Sequence, residues 1–346
     1  MRFAFTEQQI EFRDAVRQVL DKECTTTDLR VAFDAPAART PRWATLAEMG
    51  VVGLTVPEEC GGLGMTLLDL VPILEEAGRV ALPEPLLETT ALVAPLLAGV
   101  GTDRTTALLA AIAAGDIAAA VAPAHATVVP GADGADLIVV TVGGPGSGSD
   151  PEIHAVPAEA LVVTPVPSLD PTRRLGALAW EPTPGTLIAS GDDARRALAA
   201  LDDRAAIATA AELLGLADRM ITIAAGYAKE RNQFGKPIGS FQAVKHLLAG
   251  AQVKLEFARP AVYGAAWSFA QGEPIASRHA SMAKAYASDA ATEAARVSLQ
   301  VHGAIGYTWE CDLHLFLKRA WALAEAWGSA AEHRSRIVGS LVAELD

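Results

Sequence analysis

Two polar side chains in one short segment have the chemistry to bind a nucleotide. The segment KERNQFGKPIGSFQAVKH, residues 229–246, places Arg231 before a turn at residues 234–237 and Gln242 at the expected start of a helix. An arginine can bind a phosphate through two parallel hydrogen bonds, and a glutamine amide can contact a nucleotide. From spacing alone, an ordinary helix–turn–helix corner with a solvated arginine is the favoured alternative.

A second segment offers a close backbone approach to a ligand. SLQVHGAIGYTWE, residues 298–310, places a loop with Gly303 and Gly306 after a long predicted helix. Glycine lets the backbone approach a bound group closely, and Gln300 and His302 can supply polar contacts. In isolation, a helix C-cap followed by a turn explains the same pattern equally well.

Together the two segments closely resemble the acyl-CoA dehydrogenase family. The family turn R-x-x-F-G-x-x-[IL]-x-x-x-Q is matched by Arg231, Phe234, Gly235, Ile238 and Gln242. The family loop Q-x-x-G-G-x-G-[FY] is matched by Gln300, Gly303, Gly306 and Tyr307, with Ala304 at the second glycine. The segment PEECGGLG, residues 57–64, resembles a third family pattern, P-E-x-x-G-G.

The resemblance implies a mainly α fold that binds FAD. We expect an N-terminal helical domain over residues 1–117, a reduced middle β domain over 118–191, and a C-terminal four-helix bundle over 192–346. In this family FAD lies across a dimer interface, and the two segments reach the nucleotide half of a neighbour's flavin. The predicted FAD contacts are Arg231, Gln233, Phe234, Gln242, Gln300, His302, Gly303 and Ala304.

The sequence departs from the family where the catalytic base belongs. Family members remove the proton α to a thioester with a carboxylate, while the flavin takes a hydride from the β carbon. Counted without gaps, Trp327 and Ala205 occupy the two base positions known in the family, and neither side chain accepts a proton. Glu310 and Glu212 are weak candidates for a substitute base. The middle region VAPAHATVVPGADGAD, residues 121–136, also lacks the family segment T-E-P-x-A-G-S-D.

These losses favour a subunit that shares its flavin with a longer partner. The chain is similar to the short subunit of actinobacterial α2β2 acyl-CoA dehydrogenases, some of which resemble enzymes acting on steroid side-chain CoA thioesters. We expect a longer homologue to supply the base, an acyl-CoA substrate, and an electron-transfer flavoprotein as acceptor. Two alternatives remain open: a self-sufficient homo-oligomeric flavoenzyme with an unusual base, and a non-catalytic structural or acyl-CoA-binding subunit.

The elements that must position these segments are helical at both ends of the chain. Thr6 and Gln9 form a plausible capping box before the first apolar-periodic helix. Short valine-rich runs, including residues 128–129, 137–142 and 162–163, predict strands in the middle. Long helices follow, and Pro260 is expected to kink or end one of them.

Composition excludes several other functions. The 346 residues carry a formal net charge of −13, which argues against nucleic acid as the main partner. The three cysteines are widely spaced, so we expect neither disulfides nor a metal site. The most apolar stretch, residues 107–121, is too short and too weakly apolar to span a bilayer. We therefore expect a cytoplasmic protein that does not enter a membrane.

Overall fold

Helices form most of the first third of the chain. The computed structural model describes residues 4–36, 40–124, 126–144 and 146–344, which leaves His125 of the divergent middle segment outside the described residues. The N-terminal helices are α1 (Glu7–Glu23), α2 (Thr26–Asp34), α3 (Pro41–Glu48), α4 (Leu67–Arg79), α5 (Ala94–Val100) and α6 (Asp103–Ala113). A π-helical turn, Leu87–Val93, precedes α5 and was not expected from the sequence.

Local capping rules predict these helix ends well. The Thr6 hydroxyl accepts from the Gln9 amide at 3.2 Å, and the Gln9 side chain accepts from the Thr6 amide at 2.8 Å, which confirms the capping box. Helix α3 ends before Gly50, whose φ of 78° only glycine adopts easily. Gly101, at φ 67°, ends α5 and separates it from α6.

The middle of the chain forms two small sheets. The strands are β1 (Ala119–Ala122), β2 (Leu137–Val142), β3 (Glu152–Pro157), β4 (Val162–Pro165), β5 (Gly176–Ala179) and β6 (Leu187–Ser190). One sheet has the order β1-β2-β3-β6, with β1 parallel to β2 and the other pairs antiparallel, and β4 pairs with β5 in the other. The strand expected at residues 128–129 is wrong, because Val129 makes only an isolated bridge to Gly176.

Long helices dominate the C-terminal part. They are α7 (Gly191–Leu198), α8 (Leu201–Glu230), α9 (Gln242–Ala270), α10 (Ala276–His302), α11 (Leu313–Glu325) and α12 (Ala330–Val342). A short hairpin of β7 (Asn232–Gln233) and β8 (Lys236–Pro237) joins α8 to α9. Helix α10 packs against α9, α11 and α12. Pro260 lies inside α9, which continues for ten further residues, so the proline does not end that helix.

The chain divides into two compact units. The first comprises residues 1–30, 71–82 and 206–346, and the second comprises 31–70 and 83–205. The sheets belong to the second unit, where Val129, Ile138 and small alanines form a buried cluster. The boundaries after residues 117 and 191 therefore stay a prediction from the sequence.

Two glycines permit a close approach of helices in the first unit. A Cβ on Gly78 of α4 would overlap the carbonyl of Glu212 in α8, and one on Gly215 would overlap the carbonyl of Glu75. Because no larger residue fits at either position, the α4–α8 contact depends on both glycines. No helix among the described residues has the length and apolar character needed to cross a membrane.

The buried His314 makes stability depend on pH. Burial, together with the Lys318 and Arg30 charges, lowers the pKa of His314 to about 4. Between pH 6.5 and 4 the unfolded chain therefore binds a proton that the folded chain does not. The free energy of unfolding consequently decreases as the pH is lowered through this range. We expect a loss of about 2 kcal/mol between pH 7.5 and 5 from this group.

Urea unfolding of the wild type and of His314→Phe at the two pH values measures that loss. Phenylalanine keeps the edge-to-face contact with Trp309, where the ring centroids are 4.6 Å apart, but cannot titrate. We expect a smaller pH dependence in the variant. An equal pH dependence in both proteins would show that His314 does not contribute.

Candidate functional site

The corner between α8 and α9 is a tight hairpin with an exposed aromatic at its tip. Phe234 and Gly235 connect β7 to β8 with φ values of 54° and 80°, the positive angles that a type I′ turn requires. Phe234 is 91% exposed, and a bulky residue at positive φ is energetically costly. An unfavourable backbone angle that presents an aromatic ring to solvent points to a contact surface.

Arg231 and Gln242 flank this hairpin. The Arg231 amide donates to the Tyr227 carbonyl at 2.9 Å, and its carbonyl accepts from the Ile238 amide at 2.8 Å, so the backbone is anchored on both sides. Among the described residues the exposed Arg231 guanidinium has no hydrogen-bond or ion-pair partner. Gln242 is exposed at the first turn of α9. The corner thus offers a free cation and a free amide.

The second segment ends α10 in a turn whose backbone is accessible from solvent. Gly303 ends that helix at φ 62°, and a Cβ added there would meet nothing within 4 Å. Residues 303–307 then form a 3-10 turn in which Ala304 and Tyr307 are exposed. Gln300 is also exposed. A ligand can therefore reach the backbone of this turn without displacing side chains.

A stacked ring pair holds the two segments at the same end of the bundle. Tyr227 of α8 and His302 of α10 stack with centroids 4.4 Å apart and planes inclined by 18°. His302 is 7% exposed, and its Nδ1 lies 2.7 Å from the Ser298 carbonyl. Since a carbonyl only accepts, Nδ1 carries the proton and Nε2 is left for a further contact. His302 thus has a clear packing role, which its place in the loop pattern did not indicate.

The surface made by the two segments suits an extended anionic nucleotide. Seven of the eight predicted cofactor contacts are exposed, and His302 is the exception, so they are free to contact something outside this chain's core. Arg231 supplies a planar cation for phosphate oxygens, and Gln242 and Gln300 supply amides that both donate and accept. This donor set and the open space at Gly303 fit the nucleotide half of FAD.

Ala205 and Trp327, the residues predicted to occupy the family's two base positions, lie in apolar or structural surroundings. Ala205 is fully buried in α8. Trp327 has a φ of 58°, and its carbonyl accepts from Nε2 of His333 at 2.9 Å. Because burial lowers the pKa of His333, the ring is neutral at pH 7, with Nδ1 accepting from the Ser281 hydroxyl at 3.2 Å. This well-anchored loop was not predicted from the sequence.

The two substitute carboxylates have contrasting surroundings. Glu310 is exposed, and hydrogen bonds from the Thr308 hydroxyl and from the backbone hold its pKa below the usual value. A lowered pKa weakens a carboxylate as a base. Glu212 is 7% exposed and lies where α8 meets Gly78 of α4.

Within the described residues no group of three or more metal-binding side chains occurs.

Comparison with protein families adds two matches. Residues 6–116 match the acyl-CoA dehydrogenase N-terminal domain, and residues 195–341 match the acyl-CoA dehydrogenase C-terminal domain. The chain is 34% identical over 334 residues to acyl-CoA dehydrogenase IpdE2 of Mycolicibacterium smegmatis, covering 96% of this chain and 98% of that protein. It is also 34% identical over 311 residues to acyl-CoA dehydrogenase FadE34 of Mycobacterium tuberculosis, covering 86% of this chain but 41% of that protein.

Solved structures share the whole fold. The ChsE4-ChsE5 complex from Mycobacterium tuberculosis contains a chain with a TM-score of 0.86 and 24% identity, and 99% of both chains is covered. A variant of the Tcur3481-Tcur3483 steroid ACAD gives a TM-score of 0.84 and 27% identity, with 98% of both chains covered. The mainly α architecture with a small β region in the middle is therefore that of these neighbours.

Proposed function

Because this chain belongs to the acyl-CoA dehydrogenase family, we propose that it is the short subunit of a heteromeric acyl-CoA dehydrogenase. It contributes the adenine and pyrophosphate half of a flavin site, and a longer homologous subunit contributes the base. FAD, when bound, accepts the hydride from the β carbon of the thioester. The residues of this chain bind and orient the nucleotide.

The main observation behind the proposal is that the predicted nucleotide contacts in residues 229–246 and 298–310, other than His302, are exposed to solvent. Arg231 has no partner among the described residues, and Phe234 is 91% exposed at an unfavourable φ of 54°. Within the described part of the chain, the Arg231 guanidinium therefore stabilises nothing, and Phe234 makes one edge-to-face contact, with Phe241 at a centroid distance of 6.1 Å. Both side chains can gain further free energy from a group brought by another molecule, which favours a flavin whose ring is held by a second subunit.

Relatives support the partnership. FadE34 is matched over 41% of its length, so a segment like this chain is joined there to a larger amount of further sequence. The ChsE4-ChsE5 structure is a complex of two named components. The Tcur3481-Tcur3483 neighbour is a steroid ACAD, which supports a steroid side-chain CoA thioester as the substrate class. An electron-transfer flavoprotein is the proposed acceptor, and the cytoplasm is the proposed location.

The side chains at the base positions support catalysis by the partner. Trp327 and Ala205 cannot accept a proton. Glu310 carries a carboxylate whose pKa is lowered by hydrogen bonds, which is the wrong direction for removing a weakly acidic C–H proton. On this proposal both glutamates are dispensable for turnover.

Co-expression with a longer acyl-CoA dehydrogenase homologue from the same source tests the proposal. We expect a heteromer with flavin bound only when both chains are present, and acyl-CoA-dependent reduction of a dye acceptor by that heteromer. Turnover should persist in Glu310→Gln and Glu212→Gln. A yellow and active preparation of this chain alone, inactivated by either substitution, would establish the self-sufficient enzyme instead. A heteromer that stays colourless with added FAD would establish a non-catalytic subunit.

A further inference from the structure

His302 has one ring nitrogen without a partner. The imidazole is 7% exposed at the last turn of α10, and its Nδ1 lies 2.7 Å from the Ser298 carbonyl. Because a carbonyl only accepts, Nδ1 carries the proton, and in the neutral ring Nε2 carries the lone pair. Within the described part of the chain nothing donates to Nε2, yet that atom is not fully enclosed. A nearly buried side chain thus presents a single acceptor atom to its surroundings.

The orientation of this acceptor is fixed. Tyr227 of α8 stacks on the imidazole, with centroids 4.4 Å apart and planes inclined by 18°. Turning the ring over would keep the stack but would break the hydrogen bond to Ser298. Two independent contacts therefore hold Nε2 in one direction. An acceptor held in this way loses little conformational freedom when a donor binds, so its hydrogen bond adds more to affinity than one from a mobile side chain.

Both predicted nucleotide segments, residues 229–246 and 298–310, adjoin this ring pair. Arg231 lies one helical turn after Tyr227, and its amide donates to the Tyr227 carbonyl at 2.9 Å. Gly303 directly follows His302, and a Cβ added there would meet nothing within 4 Å. The free nitrogen of His302 is therefore close to the predicted phosphate contact on one segment and to open space for a flat ring on the other.

The chemistry of Nε2 restricts what it can bind. Phosphate oxygens only accept, so they suit the Arg231 guanidinium and not an imidazole lone pair. Adenine carries an exocyclic amine that donates, whereas a 6-oxopurine such as hypoxanthine carries a carbonyl oxygen at the same ring position. An amine satisfies Nε2, but a carbonyl oxygen would set two lone pairs against each other. The exposed amide of Gln300 both donates and accepts, so it favours neither base.

We infer that His302 is a specificity-determining residue, which selects adenine by accepting a hydrogen bond from its exocyclic amine at Nε2. The inference rests on the proposed function, because it concerns the nucleotide half of the same flavin site. It goes further by naming the atom that reads the base and the base that is rejected. His302 acts on nucleotide binding and takes no part in proton or hydride transfer.

Titration of the flavin-free heteromer with FAD and with flavin hypoxanthine dinucleotide, followed by flavin fluorescence, tests the inference without turnover. The two nucleotides differ only in the adenine amine. We expect the wild type to bind FAD about tenfold or more tightly than the analogue. His302→Phe keeps a ring against Tyr227 but has no acceptor, so the preference should fall below about threefold.

His279→Phe is the matched control. It makes the same substitution on the same helix, near its other end, where Nδ1 lies 3.0 Å from the Ser268 hydroxyl. Both the affinity for FAD and the preference over the analogue should be unchanged. Size-exclusion chromatography establishes that each variant assembles. If His302→Phe does not, His302→Gln replaces it, because a glutamine amide can turn to donate or accept and should likewise lose the preference.

The outcomes separate this inference from the proposed function. FAD and analogue bound equally by the wild type would overturn the inference alone, since the donor to Nε2 would then be a ribose hydroxyl or water. A preference retained in an assembled His302 variant would also overturn it, because another group would be reading the base. A heteromer that binds neither nucleotide would overturn the proposed function and the inference together.

Discussion

Replacing Arg231 with alanine is expected to remove most of the flavin from the heteromer. The guanidinium is exposed and has no partner among the described residues, so its loss leaves the folded chain almost unchanged. A charge-assisted, bidentate contact to pyrophosphate is among the stronger polar contacts, and its removal weakens binding about tenfold or more. The flavin absorbance per mole of purified heteromer measures this directly.

Two comparisons make the Arg231 result specific. Arg231→Lys should retain an intermediate amount of flavin, because an ammonium keeps the charge but cannot bind two oxygens in one plane. Arg296→Ala removes an exposed arginine from the same bundle, where it pairs with Glu293 at 2.7 Å, and should keep full flavin content. Flavin retained at the wild-type level in Arg231→Ala, with the heteromer intact, would contradict the assignment of the nucleotide segments.

Features governed by short-range rules were predictable from the sequence. The capping box at Thr6 and Gln9 and the helix boundary at Gly303 follow from residue type and spacing. The start of α9 at Gln242 follows from the turn before it. The turn predicted at residues 234–237 is narrower in the structure, because Lys236–Pro237 forms β8 and only Phe234 and Gly235 are the central residues of the hairpin. A bulky residue at the first of these two positions is unusual.

Features set by tertiary context were not predictable. Val129 has a strong β preference, but it has only one bridging partner, Gly176, so no strand forms. Pro260 lacks an amide donor, but the packing of α9 against α10 keeps the helix continuous through it. Neighbours distant in sequence decide both outcomes.

The candidate site likewise combines features that the sequence predicts with features that depend on tertiary contacts. Motif spacing predicts Arg231 and Gln300 as FAD contacts, whereas the stacking of His302 on Tyr227 depends on how α8 and α10 meet. One signal was available and overlooked: Ser329 and Glu332 form a capping box at the start of α12, which marks the end of the Trp327 loop.

Replacing Lys284 with methionine is expected to destabilise the fold and release the Trp327 loop. Lys284 is fully buried, and its ammonium donates to the carbonyls of Ala324 and Gly328 at 2.8 and 2.9 Å and to the Ser288 hydroxyl at 3.1 Å. These acceptors match the three donors of the ammonium. Methionine fills the same space but leaves the Gly328 carbonyl without this donor, and the buried Ala324 carbonyl with only the more distant Ser288 hydroxyl, at 3.5 Å.

Two opposing effects decide the size of the change. Methionine avoids the cost of burying an ammonium group, which by itself would stabilise the fold. Each carbonyl that loses the ammonium costs about 1–3 kcal/mol for as long as it stays out of water. We expect a net loss of about 2–4 kcal/mol in the free energy of unfolding, measured in urea. Lys254→Met is the matched control, since Lys254 is half-exposed and should change stability by less than about 0.5 kcal/mol.

In Lys284→Met, hydrogen exchange should accelerate more in the Trp327 loop, residues 326–330, than in the rest of the bundle. Trp327 keeps its φ of 58° because His333 holds its carbonyl and Lys284 holds that of Gly328. With one anchor removed, the backbone can relax to an easier conformation, so hydrogen exchange should accelerate at residues 326–330 before it does in α9. Uniform acceleration throughout the bundle would show that Lys284 supports the core as a whole. Confined acceleration, with flavin content unchanged and turnover reduced, would support the proposal that the Trp327 loop, at the predicted base position, shapes the active site of the proposed partner.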